Sequence, residues 1–188
     1  VWVVQHGYAH VNHAPKGPEG EGAWELGTHR PLADVVSELT KGRRILARLF
    51  EDRFVPVLVP PWNHIAPEVA DRLPGAGFIG LSCEDGRRPD PLPANLPTYD
   101  ADVDLLRWKP TPGFVGEGKA LAAITGTLAK RRESGCLGEP VGILTHHLDM
   151  DEAAWDFLDD LLLMTRAHGA ARWTSAARLW PVDGGPDA

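Results

Sequence analysis

Apolar positions in this chain fall into two kinds of block that take turns. Short runs rich in β-branched and aromatic residues read as buried strands: VWVV at 1–4, VPVLVPPW at 55–62, FIGLS at 78–82, DVDLLRW at 102–108, PVGILTHH at 140–147 and ARWTS at 171–175. Between them lie segments with apolar residues three and four apart, a spacing that puts them on one helical face. The clearest is PLADVVSELTKGRRILARLF at 31–50, where Leu32, Val35, Val36, Leu39, Ile45, Leu46 and Leu49 are in phase behind Pro31. APEVADRLPGAG at 66–77 predicts a short helix stopped by Pro74-Gly75. GEGKALAAITGTLAKRRES predicts a helix closed by Gly135. DEAAWDFLDDLLLMTRAHG predicts another, with Asp151 and Glu152 in its first turn and Gly169 at its stop.

Alternation of this kind predicts an α/β protein with a parallel sheet, whose active face lies at the carboxyl ends of the strands. Chemistry-bearing residues gather at three such ends: His6 and His10, then Trp62 and Asn63, then His146 and His147. The segment APKGPEGEGAWELGTHR at 14–30 is too long for a plain connector and reads as a functional loop. A chain of 188 residues is expected to form one domain over 1–188.

Charge and composition narrow the function classes. The net charge is −7, and basic residues gather only in short runs such as Arg43-Arg44 and Lys130-Arg131-Arg132, so nucleic-acid binding is not expected. No apolar stretch approaches the ~20 residues that span a bilayer. No secretory leader is recognisable, which makes the cytoplasm the expected compartment. Cys83 and Cys136 lack metal-type spacing; reduced thiols are the simpler reading, and a single disulfide stays open.

The histidines change the picture most, because three of the eight lie within QHGYAHVNH at 5–13. On a helical turn His6 and His10 share one side and reach one ion. Neutral imidazole suits zinc, with cobalt, nickel or manganese as alternatives. A catalytic metal needs a third ligand, to be sought in His13, a distant histidine or a carboxylate. Among the loop acids, Glu19, Glu21 and Glu25 are expected to be solvated, with Glu25 the one within reach of the ion. His29 and Arg30 would fix the loop. His146, at a strand end, would donate a proton to a leaving amine or alkoxide, while His147 is expected to cap the helix that follows. Trp62 would pave a pocket floor. His64 is expected to start a helix, and His168 to sit near a helix end.

Taken in order, His6-x-x-x-His10 behind a strand, Pro61-Trp62, the segment from Asp104 to Trp108, and Leu144-Thr145-His146 resemble the polysaccharide deacetylase family, also called NodB-homology or family-four carbohydrate esterases. The resemblance covers most of the chain, though 81–97 and the residues beyond Trp180 carry no matching motif. It implies an irregular (β/α) barrel of about seven strands that hydrolyses acetyl groups with one divalent metal. It also implies His6 and His10 as metal ligands, and His146 as the general acid toward the departing sugar nitrogen. Pro61 and Trp62 would form one groove wall and Leu144 would line the pocket for the acetyl methyl, with Asn63 and Trp108 also expected to bind substrate.

The family's first motif, a strand ending in adjacent aspartates, would precede His6 by a few dozen residues. The resemblance therefore implies a barrel short of its first strand, with an open edge beside VWVV. Two positions depart from the pattern: Leu58 stands where an arginine is expected, and Arg107 precedes Trp108 in place of an acid. Asp102 or Asp104 is expected to stand in as partner of the general acid. The reading that follows is a metal-dependent deacetylase of N-acetylated sugars. Its alternatives are a non-catalytic carbohydrate- or metabolite-binding domain that has lost its base, and a small-molecule amide hydrolase on the same scaffold. The acidic charge favours a neutral substrate.

Overall fold

The computed structural model describes residues 1–15, 22–84 and 86–182. Two compact units are formed: Val1–Asp100 with Ser175–Ala188, and Ala101–Thr174. The chain thus enters the second unit once, leaves it once, and finishes in the first.

The first unit is built on a parallel sheet in the order β1-β2-β3, from β1 (Val3–His6), β2 (Phe54–Val59) and β3 (Gly80–Leu81). VPVLV does not alternate polar and apolar because β2 is buried on both faces. Val55 and Val57 pack with Trp2, Val4, Ile79 and Trp180 in one cluster. Leu58 packs in another with Leu26, Val35, Leu39, Val69, Leu73, Phe78 and Leu81. Pro56 has no N–H to give a neighbour, and the β1–β2 register skips there, from Val3↔Phe54 to Gln5↔Leu58. The irregularity accommodates the missing donor while the Pro56 carbonyl still accepts from Ile79 on the other side.

Helix α1 (Leu32–Phe50) follows Pro31, which occupies the N-cap position. It buries Val35 and Leu39 against the sheet, but the later members of its apolar stripe do not follow: Ile45 and Leu49 are exposed. Helix α2 (Pro67–Ala70) starts at a proline in its first position, with Ala66 extended before it. His64, expected to start that helix, instead ends the 3₁₀ turn at Pro61–Asn63.

The expected strand over ARWTS does not form. Ser175 is an N-cap whose side chain accepts from the Arg178 N–H, so this stretch opens a helical turn at Ala176–Leu179. That turn delivers Trp180 onto Gly80, where any Cβ would collide with the indole. The Trp180 Nε1–H donates to the Pro97 carbonyl at 3.0 Å, and the Tyr99 ring meets the indole edge-on at 5.1 Å.

In the second unit DVDLLRW is not one strand. Asp104 Oδ1 accepts the Leu106 N–H at 2.9 Å and breaks the run. Its first half, β4 (Val103–Asp104), pairs in parallel with β7 (Ile143–Leu144). Its second, β5 (Leu106–Arg107), pairs antiparallel with β6 (Gly113–Phe114). Helices α3 (Glu117–Ser134) and α4 (Glu152–Ala167) complete the unit around Val103, Leu105, Ala120 and Phe157. Helix α3 ends on left-handed Gly135 as the sequence predicts. The Asp151 side chain caps α4 by accepting the Ala154 N–H at 2.9 Å, and α4 stops at Ala167, two residues ahead of Gly169, with His168 at its C-cap.

Asp102 closes the unit's interior. It takes Arg131 Nη2 at 2.8 and 2.9 Å and the Gly142 N–H at 2.7 Å, a charge-assisted set that leaves neither ion unpaired.

Both cysteines are free thiols, Cys83 buried and Cys136 exposed. Burial, with the Asp100 carboxylate beside it, pushes the Cys83 thiol up to about 12. Since the thiolate is the reactive species, a maleimide at neutral pH is expected to label Cys136 in the native protein and Cys83 only after unfolding in urea. Peptide mass spectrometry checks this, and equal labelling of both in the folded state would contradict it.

Candidate functional site

Strand β1 ends on His6, and the chain then curls around one carboxylate. Glu25 is 1% exposed. Its Oε1 accepts the N–H groups of Tyr8 and Ala9, both at 2.7 Å, and its Oε2 accepts that of His10 at 2.9 Å. A buried carboxylate requires such donors; three successive amides supply them. Gly7 makes the curl possible. It has φ +60, and a Cβ there would fall on Glu25 Oε2 and on the Pro61 ring.

This arrangement corrects two expectations. His6 and His10 are brought together by a loop with left-handed Gly7 and His10, and not by a helical turn. Glu25 is not a solvated acid, and both its oxygens are occupied by backbone donors.

The two imidazoles are exposed, with ring centroids 5.1 Å apart. His6 Nδ1 lies 3.0 Å from the Val59 carbonyl, which can only accept; Nδ1 therefore carries a proton, and in the neutral ring the lone pair is on Nε2. Metal-bound histidines are commonly oriented by such a bond to their other nitrogen. With metal–nitrogen distances of ~2.0–2.1 Å, two imidazoles on one tetrahedral ion have centroids roughly 5 Å apart. The centroid separation equals that of two imidazoles sharing a zinc-type ion. Among the described residues, no group of three or more His, Cys, Asp or Glu side chains is arranged to hold a metal.

Backbone strain concentrates at the same place. Among the described non-glycine residues, positive φ occurs at His10, Glu51, Trp62 and Asn63. Three of these four are at this site, and such outliers cluster where function over-determines the backbone. Trp62, half-buried, sets its ring 4.2 Å from that of His10. Pro61 is buried beneath, against Gly7, and Asn63 is half-buried beside it.

The remaining residues singled out in this unit lie elsewhere in its network. His13 is exposed, its N–H donating to the Trp24 carbonyl. Arg30 pairs with Glu38, and that bond, followed by the nearby carboxylates including Glu25, raises the Arg30 guanidinium. Glu19 and Glu21 lie outside the described residues. Sequence reasoning did not find the stack of His64 on Trp24, with centroids at 4.6 Å, His64 Nδ1–H donating to the Ala23 carbonyl and Arg87 at its other nitrogen.

In the second unit, His146 follows β7. Its Nε2 lies 3.3 Å from Asp104 Oδ2, the same oxygen that accepts the Trp108 Nε1–H at 3.0 Å. The Trp108 ring meets His146 edge-on at 4.7 Å. Of the two stand-ins weighed for a partner of His146, Asp104 is the one in contact, while Asp102 is committed to Arg131. Leu144 is half-buried in β7, opposite Asp104 in register. His147 is exposed and does not cap α4; Asp151 does, while the His146 carbonyl accepts the Asp149 and Met150 N–H groups.

Comparison with protein-family models, curated proteins and solved structures finds no match to this chain. Among the described residues, no helix is long and apolar enough to cross a membrane.

Proposed function

We propose that the protein is a metal-dependent hydrolase that removes acetyl groups from N-acetylated sugars, on a (β/α) scaffold of the polysaccharide deacetylase kind. The observation that carries this reading is the His6–His10 pair: 5.1 Å apart, exposed, with the His6 tautomer fixed by Val59 and Trp62 packed on His10. In the first unit β1, β2 and β3 run parallel with a helix between successive strands, and in the second β4 and β7 run parallel, and this strand–helix alternation supports a (β/α) reading.

His6 and His10 would hold the ion, zinc by donor type, with cobalt, nickel or manganese as alternatives. When bound, such an ion polarises an acetyl carbonyl and lowers the pKa of water. The chain's own residues do the rest. Trp62 offers an apolar ring face to a neutral sugar, with Pro61 and Asn63 fixing the turn that presents it. Asp104 accepts the His146 Nε2–H, which leaves Nδ1 as the position from which the imidazolium form would give its proton to a departing nitrogen. Trp108, bonded to the same Asp104 oxygen, keeps that carboxylate from turning. Leu144 gives an apolar wall to the acetyl methyl.

A second reading, a binding domain for a carbohydrate or metabolite, is favoured by one observation: Glu25, the carboxylate bonded to the His10 turn, spends both oxygens on backbone amides. Cobalt titration followed by visible absorption, together with acetate release from an N-acetylated chito-oligosaccharide by the protein, separates the readings. We expect tetrahedral cobalt bands in the native protein. His6→Ala and His10→Ala should each weaken binding by about a hundredfold or more, and release less acetate. Cobalt binding unaffected by either substitution would overturn the metal reading. Intact binding with no acetate release would leave the binding domain.

A further inference from the structure

We propose that Glu25 is the positioning residue of the metal pair, an anionic post around which the ligand-bearing loop is wound, and not itself a ligand. The proposal rests on the reading of His6 and His10 as metal ligands and adds a residue to that site. Three observations carry it. Glu25 is buried, yet it lies 15 to 17 residues away in sequence from the amides that surround it. Those amides are consecutive, Tyr8, Ala9 and His10, so a single side chain dictates the path of the whole turn between the two imidazoles. The third of them belongs to His10, at φ +53. A left-handed backbone in a non-glycine residue is unfavourable on its own. The hydrogen bond from the His10 N–H to Oε2 is what fixes it, and with it the direction in which the imidazole leaves the chain.

Two neighbours show that the fit around the carboxylate is close. Gly7 has no space for a Cβ between Oε2 and Pro61. The Arg30 guanidinium lies near enough to respond to the Glu25 charge. The carboxylate also places a negative charge against the turn that carries the two imidazoles, where it favours a cation over an uncharged occupant. A geometric and an electrostatic contribution therefore act in the same direction.

Glu25→Gln separates this role from mere structural filling. It keeps the volume and one acceptor, removes the charge, and turns an NH₂ group toward a backbone N–H. Zinc and cobalt affinity measured by titration of the folded chain is expected to fall by about tenfold or more, with altered cobalt bands. Amide exchange in the native protein should show Tyr8, Ala9 and His10 protected. In the variant that protection should be lost while Val57 and Leu58 keep theirs. A folded Glu25→Gln that binds cobalt with native affinity and an unchanged spectrum would overturn the proposal, even if its melting temperature were lower. Should Glu25→Gln fail to fold, Glu25→Asp, which keeps charge and both acceptors on a shorter arm, is read the same way: weakened binding supports the role, native binding overturns it. A native protein whose metal binding survives loss of His6 and His10 would instead show that the metal assignment is at fault.

Discussion

Gly7→Ala is expected to lower the stability of the protein by about 3 kcal/mol and to abolish tight metal binding. Two effects add. A non-glycine residue at φ +60 costs roughly 1–2 kcal/mol. Inserting a methyl into a packed site costs roughly a further 1–3 kcal/mol, and here the methyl lands on Glu25 Oε2 and on Pro61, whose ring cannot yield. Relief requires either the carboxylate to retreat from its three amides or the turn to unwind, and both part His10 from His6. Urea unfolding followed by circular dichroism measures the first effect, and cobalt titration of the folded fraction the second. A stability loss below about 1 kcal/mol, with native cobalt bands, would mean that the turn is not wound as described.

His146→Ala is expected to reduce kcat for acetate release by about 10²–10⁴-fold while leaving the cobalt spectrum unchanged, since proton delivery is separate from metal holding. Asp104→Asn should act in the same direction and more weakly. An amide still accepts a hydrogen bond at its one oxygen, but it does not stabilise an imidazolium as a carboxylate 3.3 Å away does. The KM for the sugar should change little in either variant. Metal-dependent acetate release at the native rate by His146→Ala would remove His146 from the reaction and leave its contacts with Asp104 and Trp108 as packing.

Regular elements were the legible part of the sequence, because periodicity and end signals are local. Helices α1, α3 and α4, and strands β1 to β3, form where apolar phase, Pro31 and Gly135 place them. The misreadings occurred where one polar side chain competed with the apolar pattern. Asp104 takes the Leu106 N–H and divides DVDLLRW between two sheets, and Ser175 takes the Arg178 N–H and turns the end of ARWTS into a helical start. A run of apolar residues records burial. It does not record whether a nearby oxygen will capture an amide.

The site was legible in its residue types and opaque in its support. The spacing of His6 and His10 suggested a shared ion, but the carboxylate that shapes their turn comes from far along the chain and carries no motif of its own. The one visible hint was its setting, an acid between Trp24 and Leu26, the latter 1% exposed. The left-handed pair Trp62-Asn63 was equally hidden, since neither residue type announces that backbone. Asp104 was weighed beside Asp102 as a partner for His146, and only coordinates show which of the two is already taken by an arginine.

The return of the C-terminal segment to the first unit has a consequence for a chain cut at its junctions. A protease clipping after Asp100 would sever residues 1–100 from everything downstream, yet the downstream piece still carries Trp180, seated on Gly80 and bonded to Pro97. The turn that carries Ala176, Ala177, Leu179 and Trp180 then serves as the clasp of a nicked protein, because it stays packed with Val55 and Val57.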